Sequence, residues 1–83
     1  MSTEVILPKW GLTMEDGTLV TWLKQPGDRV EAGEILAEVE TEKVTNELEA
    51  PVSGIVSQVL VAEGTEEIAV GTVLCIIEED GHD

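Results

Sequence analysis

The feature that most constrains this chain is that its sequence runs through one pattern twice. GTLVTWLKQPG, from Gly17 to Gly27, aligns without a gap on GIVSQVLVAEG, from Gly54 to Gly64. One extra residue then enters the second copy, after which GEILAEVE (Gly33–Glu40) aligns on GTVLCIIE (Gly71–Glu78). Each copy opens on a short segment ending in proline, Glu4–Pro8 and Glu47–Pro51. Glycines at matching places imply that both copies make the same turns. Either copy alone would leave an apolar face exposed, so the two must pack on one another to bury a core.

Each copy reads as strand, strand, very short strand, strand. The expected strands are 3–7, 17–24, 29–30, 35–41, 44–49, 54–61, 67–68 and 72–78. Ile35, Val39, Val73 and Ile77 fit partly buried strands. Val30 and Ile68 correspond, each between two turn glycines. The pairs Leu19/Trp22 and Val56/Val59 break the period of two identically in both copies, which predicts a bulge or a strong local twist. Proline at 8 and 51 suits strand ends, because it cannot donate to a ladder. No stretch holds a sustained 3.6-residue period. The apolar mass is Val, Ile and Leu, with Trp10 and Trp22 the only aromatic residues, and that favours strands. The expected fold class is all-β: a flattened barrel or sandwich of two four-stranded antiparallel sheets with quasi-two-fold symmetry. At 83 residues there is room for one domain, placed at 1–79, with 80–83 a flexible tail or the start of a linker.

Charge narrows the function classes. Eighteen acids against four bases give a net charge of −14. Nucleic-acid binding needs a basic face, and anionic lipid repels such a surface. The acids confer solubility and would steer basic partner surfaces. Cys75 stands alone in the apolar run Val73–Ile77, so no disulfide framework exists, and it reads as a small buried hydrophobe. The start of the chain has no signal-peptide pattern and no apolar run is long enough to span a membrane. The expected setting is reducing and cytoplasmic. There is no glycine-rich phosphate loop and no metal-binding spacing. His82 lies in the polar tail. No catalytic constellation is present, and no metal is expected.

Function tends to lie where a repeat is broken, and this one is broken twice. Pro8 to Gly17 spans nine positions while Pro51 to Gly54 spans three, so the first copy carries six extra residues within 9–16. A long connection on a small domain is often functional. Alternatively Trp10, Leu12 and Met14 simply fold back over the core edge, and both can hold. The second break is the junction VETEKVTN (Val39–Asn46). Two strand runs flank it with almost nothing between, which predicts a tight hairpin with Glu42 and Lys43 as its central pair. Neither residue tolerates positive φ well, so a type I turn is expected. A lysine where glycine or asparagine is usual breaks a local rule and points to function, although exposed lysines on turns also occur without one.

ETEKVTNELEAPVSG (Glu40–Gly54) closely resembles the attachment segment of lipoyl domains, in which a lysine follows an acid at a hairpin tip. LPKWGLTM (Leu7–Met14) resembles the opening of such domains in acyltransferase components of 2-oxo acid and acetoin dehydrogenase complexes. Gly27–Val30 and Gly33–Leu36 resemble the family's turn segments. The likeness covers residues 3–79. Biotinyl domains share the fold but place methionine on both sides of the acceptor lysine; Glu42 and Val44 flank Lys43 here, which favours lipoate. Lipoyl domains most often carry aspartate before the lysine, and Glu42 departs from that by one methylene.

The resemblance implies a carrier without a catalytic site of its own. Lipoic acid would be joined as an amide to Lys43 by a lipoate ligase or lipoyl transferase. An exposed lysine has a pKa of about 10.4 and acidic neighbours favour its charged form, so deprotonation would fall to the ligase. The partners implied are a thiamine-diphosphate-dependent dehydrogenase that acylates the arm, an acyltransferase core that passes the acyl group to coenzyme A, and a dihydrolipoamide dehydrogenase that reoxidises the dithiol. The loop at 9–16, with Trp10, Leu12 and Met14, would serve partner recognition. The isolated domain would be monomeric. Two other readings stay open: a biotin carboxyl carrier domain of a biotin-dependent carboxylase, and an unmodified β-module used for binding.

Overall fold

The structure, a computed structural model, describes residues 1–41 and 44–79. The strands are β1 (Ser2–Ile6), β2 (Asp16–Trp22), β3 (Arg29–Val30), β4 (Ile35–Thr41), β5 (Val44–Glu49), β6 (Gly54–Val59), β7 (Ile68–Ala69) and β8 (Val73–Glu79), and no helix occurs among the described residues. They form two four-stranded sheets, ordered β1-β8-β6-β3 and β5-β4-β2-β7. All pairings are antiparallel. Replacing each strand by its counterpart in the other copy turns the first order into the second. The repeat is therefore a two-fold operation that exchanges the sheets, and each copy supplies strands to both.

Side chains obey the same operation. Leu36 and Leu74, Ala37 and Cys75, Val39 and Ile77 are equivalent pairs, and all six are fully buried. The expected irregularities are present. On β2, Leu19 faces Val39 and Thr21 faces Glu38, leaving Val20 unmatched. On β6, Val56 faces Ile77 and Gln58 faces Ile76, leaving Ser57 unmatched. One extra residue shifts the alternation by one, so Leu19 and Trp22 both face inward and are buried. A second pair of register shifts falls at Leu36 on β4 and Leu74 on β8.

The glycines serve two purposes. Gly27, Gly33, Gly64 and Gly71 have φ between 85° and 98°, the left-handed region that favours a residue without Cβ. Gly17 and Gly54 instead allow close approach of strands. A Cβ on Gly54 would overlap the Glu78 carbonyl, and one on Gly17 would stand 2.9 Å from Val39 Cγ1. The turns are tied by equivalent hydrogen bonds. Gly27 N–H donates to Val56 O and Gly64 N–H to Leu19 O, both at 2.7 Å. The extra residue of the second copy lies between Gly64 and Ile68, where Glu67 takes φ 57°.

Strand limits differ slightly from expectation. Both long central strands end two residues early, at Trp22 and Val59, although Leu23 and Leu60 still donate to Leu36 O and Leu74 O. Strand β7 starts at Ile68, because the left-handed backbone at Glu67 cannot extend it. Residues 80–83, expected to be a tail, lie outside the described residues.

Candidate functional site

The inward rows of β4 and β5 run beyond the core. Ala37, Val39 and Thr41 stand opposite Leu48, Asn46 and Val44 in turn. Burial fades along this ladder: Ala37, Val39 and Leu48 are buried, Thr41 and Asn46 half-buried, and Val44 is 57% exposed. Where the apolar row ends, Asn46 Nδ2 donates to Thr41 Oγ1 at 3.2 Å. Glu42 and Lys43 link Thr41 to Val44, and they, with the expected type I turn, lie outside the described residues.

The loop between β1 and β2 stands beside this end of the hairpin. Its fold is local: Met14 N–H donates to Gly11 O at 3.1 Å, and Trp10 N–H reaches Met14 Sδ at 3.4 Å. Met14 packs against the core while Trp10 is 38% exposed. Between loop and hairpin lies a cleft of about 310 Å³ lined chiefly by Trp10, Met14, Asp16, Thr41, Val44 and Asn46. Its charged lining residues are Glu15 and Asp16, both acids. The two-fold mate of this corner has only the short link from Pro51 to Gly54 where the loop would stand. The insertion thus builds the wall that makes the cleft.

The residues singled out in the sequence divide accordingly. Trp10, Met14 and Val44 come together in the cleft. Leu12 stands apart, 96% exposed and outside both cleft and core. Thr41 and Asn46 were not anticipated. Their signal was a polar pair continuing two inward rows, visible only once the hairpin register is known.

Elsewhere, Glu63 and Cys75 serve the structure. The Glu63 carboxylate accepts from Trp22 N–H at 2.7 Å and from Thr21 Oγ1 at 3.0 Å. The Trp22 backbone bond first, then the Thr21 hydroxyl, holds its pKa below the usual glutamate value. Trp22 Nε1 donates to Val61 O at 2.7 Å, so the indole is buried with its polar atom satisfied. Burial pushes the Cys75 thiol up to about 11, which suits an inert core residue. Among the described residues, no group of three or more His, Cys, Asp or Glu side chains is placed to hold a metal. Among the described residues, too, no helix is long and apolar enough to cross a membrane. The cleft is lined by hydroxyl, amide, carboxylate and apolar side chains. It can take a small neutral or cationic group, and the strand ends beside it are open to solvent.

Comparison with known proteins agrees with this geometry. Residues 3–78 match the model of the Biotin_lipoyl family, described as "Biotin-requiring enzyme". The chain is 49% identical, over its full length, to 19% of the dihydrolipoyllysine-residue acetyltransferase component of the pyruvate dehydrogenase complex of Zymomonas mobilis. It is 43% identical, over 99% of its length, to 18% of the pyruvate dehydrogenase E1 component subunit beta of Rhizobium meliloti. The chain thus spans about a fifth of the length of these relatives. Among solved structures, the lipoyl domain of the 2-oxoglutarate dehydrogenase complex of Azotobacter vinelandii superposes with a TM-score of 0.72 and 29% identity, covering 93% of this chain and 99% of that one. The match along nearly the whole length, on a two-sheet fold shared with a lipoyl domain, shows that this chain belongs to the biotin/lipoyl-attachment family.

Proposed function

We propose that this chain is a lipoyl carrier domain, that lipoic acid is attached as an amide to Lys43, and that the arm so formed carries acyl groups and electrons between the components of a 2-oxo acid or acetoin dehydrogenase complex. The observation that carries this reading is the position of Lys43 in the chain. It lies between Thr41 and Val44, the paired final residues of an antiparallel hairpin, in a sequence whose relatives are named for dihydrolipoyllysine. Glu42 and Val44, rather than methionines, flank it, which favours lipoate over biotin.

The rest of the chain supports a carrier's role. A stiff two-sheet body holds the β4–β5 end in place while Glu40 and Val44 leave it open. A ligase must reach the lysine, and later partners must reach the arm, so a crowded site would defeat the function. When bound, the dithiolane supplies the reversible thioester and disulfide chemistry. The protein supplies the anchor and the surface that partners recognise. That surface is the loop at 9–16 together with the cleft it forms. The partners are the lipoate ligase or lipoyl transferase, the thiamine-diphosphate enzyme, the acyltransferase core and dihydrolipoamide dehydrogenase. Relatives' names include both an acetyltransferase component and an E1 subunit, so either could be the host of a carrier unit at 1–79.

The test is intact mass and peptide mapping of protein produced with lipoate and biotin both supplied. One lipoyl group on Lys43, absent from Lys43→Gln, is the expected result. Biotin at Lys43, or lipoate on Lys9 or Lys24, would overturn the reading. Lys43→Gln should keep the thermal midpoint of the parent, because substitution of a turn lysine of the kind the sequence predicts stays within about 0.5 kcal/mol.

A further inference from the structure

The cleft between the loop and the hairpin has features that partner recognition alone does not explain. Its walls include both residues that flank the Glu42–Lys43 pair in the chain, Thr41 and Val44. Its volume, about 310 Å³, is at the small end of the range for bound organic molecules, about 300–1,000 Å³. It mixes an indole, a thioether and a valine side chain with the hydroxyl of Thr41 and the amide of Asn46. Glu15 and Asp16 in its lining repel anions such as phosphates and free carboxylates. An acyl group amide-linked to a lysine is neutral at both former charges, because attachment removes the ammonium and the carboxylate together.

We infer that Trp10, Met14 and Val44 form a resting site for the neutral, sulfur-bearing end of the arm carried on Lys43. This rests on the lipoyl reading above. The occupant is argued from tethering: Lys43 is joined directly to Val44 and through one residue to Thr41, and both of those line the cleft. A short flexible tether gives an effective concentration of the order of millimolar. A contact with an intrinsic dissociation constant near ~1 mM would then hold the arm about half the time. That leaves it free for partners in the other half. Sulfur against an aromatic ring contributes about 0.3–1.5 kcal/mol, and Trp10, which lines the cleft, is 38% exposed. The inserted loop would thus shelter the arm between visits as well as present a surface to partners.

The chain provides its own controls, since it has two tryptophans and two methionines. Trp10 and Met14 line the cleft, whereas Trp22 is bonded to Val61 inside the core and Met1 is 92% exposed. The experiment compares the unmodified and the lipoylated protein by NMR, with methionine methyls and tryptophan indoles labelled. Intact mass first establishes that the second sample carries lipoate. The expected result is movement of the Trp10 indole and Met14 methyl signals, with nuclear Overhauser contacts from Met14 to the arm, while Trp22 and Met1 stay put. In Trp10→Ala the contacts to Met14 should fall by at least half. A lipoylated domain in which only residues 40–46 respond would overturn the resting site and leave the carrier reading intact. A domain that takes up no lipoate would fail at the mass measurement and overturn both.

Discussion

Gly54 and Gly17 occupy equivalent positions, yet substitution should affect them unequally. A methyl group at Gly54 collides with the backbone carbonyl of Glu78, whereas one at Gly17 meets first the terminal methyl of Val39. A side chain can shift by a fraction of an ångström; a carbonyl within a hydrogen-bonded ladder cannot. Overpacking costs about 1–3 kcal/mol, so Gly54→Ala should lose about 3 kcal/mol and Gly17→Ala about 1 kcal/mol, measured by urea unfolding. Equal losses would show that the two corners are equally able to relax. Glu63 permits a second residue-level prediction. Its folded pKa lies below its unfolded one, so its contribution to stability is complete above the ordinary glutamate range and is lost as pH falls through the lowered value. Glu63→Gln copies the neutral acid. The gap in thermal midpoint between parent and Glu63→Gln should therefore narrow between pH 6 and pH 3, and a constant gap would sink this account.

The loop at 9–16 is the element on which sequence and structure say different things. The shorter link in the second copy shows that the fold can close this connection without the insertion. Met14, however, packs against the core. Cutting the loop to the length of its counterpart should cost about 1 kcal/mol, a small closure term offset against one lost half-buried side chain. Lipoylation should persist, and acylation by the thiamine enzyme should fall at least tenfold; an unchanged rate would remove the recognition role. The eight strands and both central bulges were legible because each signal occurs twice, and Leu19/Trp22 could be checked against Val56/Val59. The bulges at Leu36 and Leu74 were not, since their neighbours are apolar on both faces and show no broken period. The cleft was half legible. Val44, Trp10 and Met14 were conspicuous, but Thr41 and Asn46 gain meaning only from the pairing of Thr41 with Val44 and Val39 with Asn46. Leu12 looked like its neighbours in sequence and differs only in where the loop carries it.

At the scale of the molecule, the exchange of sheets means that neither copy closes a core alone, so folding must join distant parts of the chain. The same symmetry relates Thr41 and Val44 to Glu79 and Met1, where the Glu79 N–H donates to Met1 O at 2.7 Å. Two residues bridge the first pair, so a two-residue bridge should suffice for the second. A circular permutant joined there, and opened between Gly11 and Leu12, is expected to fold with a loss of no more than about 2 kcal/mol. Failure to fold would mean that β1 and β8 depend on free ends. The body measures 41 × 23 × 17 Å. Strand β1 leads from beside Glu79 at its start to the cleft-lining loop beyond its finish. A polypeptide threading through this module enters and leaves at adjoining points, one strand's length from the cleft. Spliced into a longer host, the module would hang as a pendant from a single spot, its working corner turned outward.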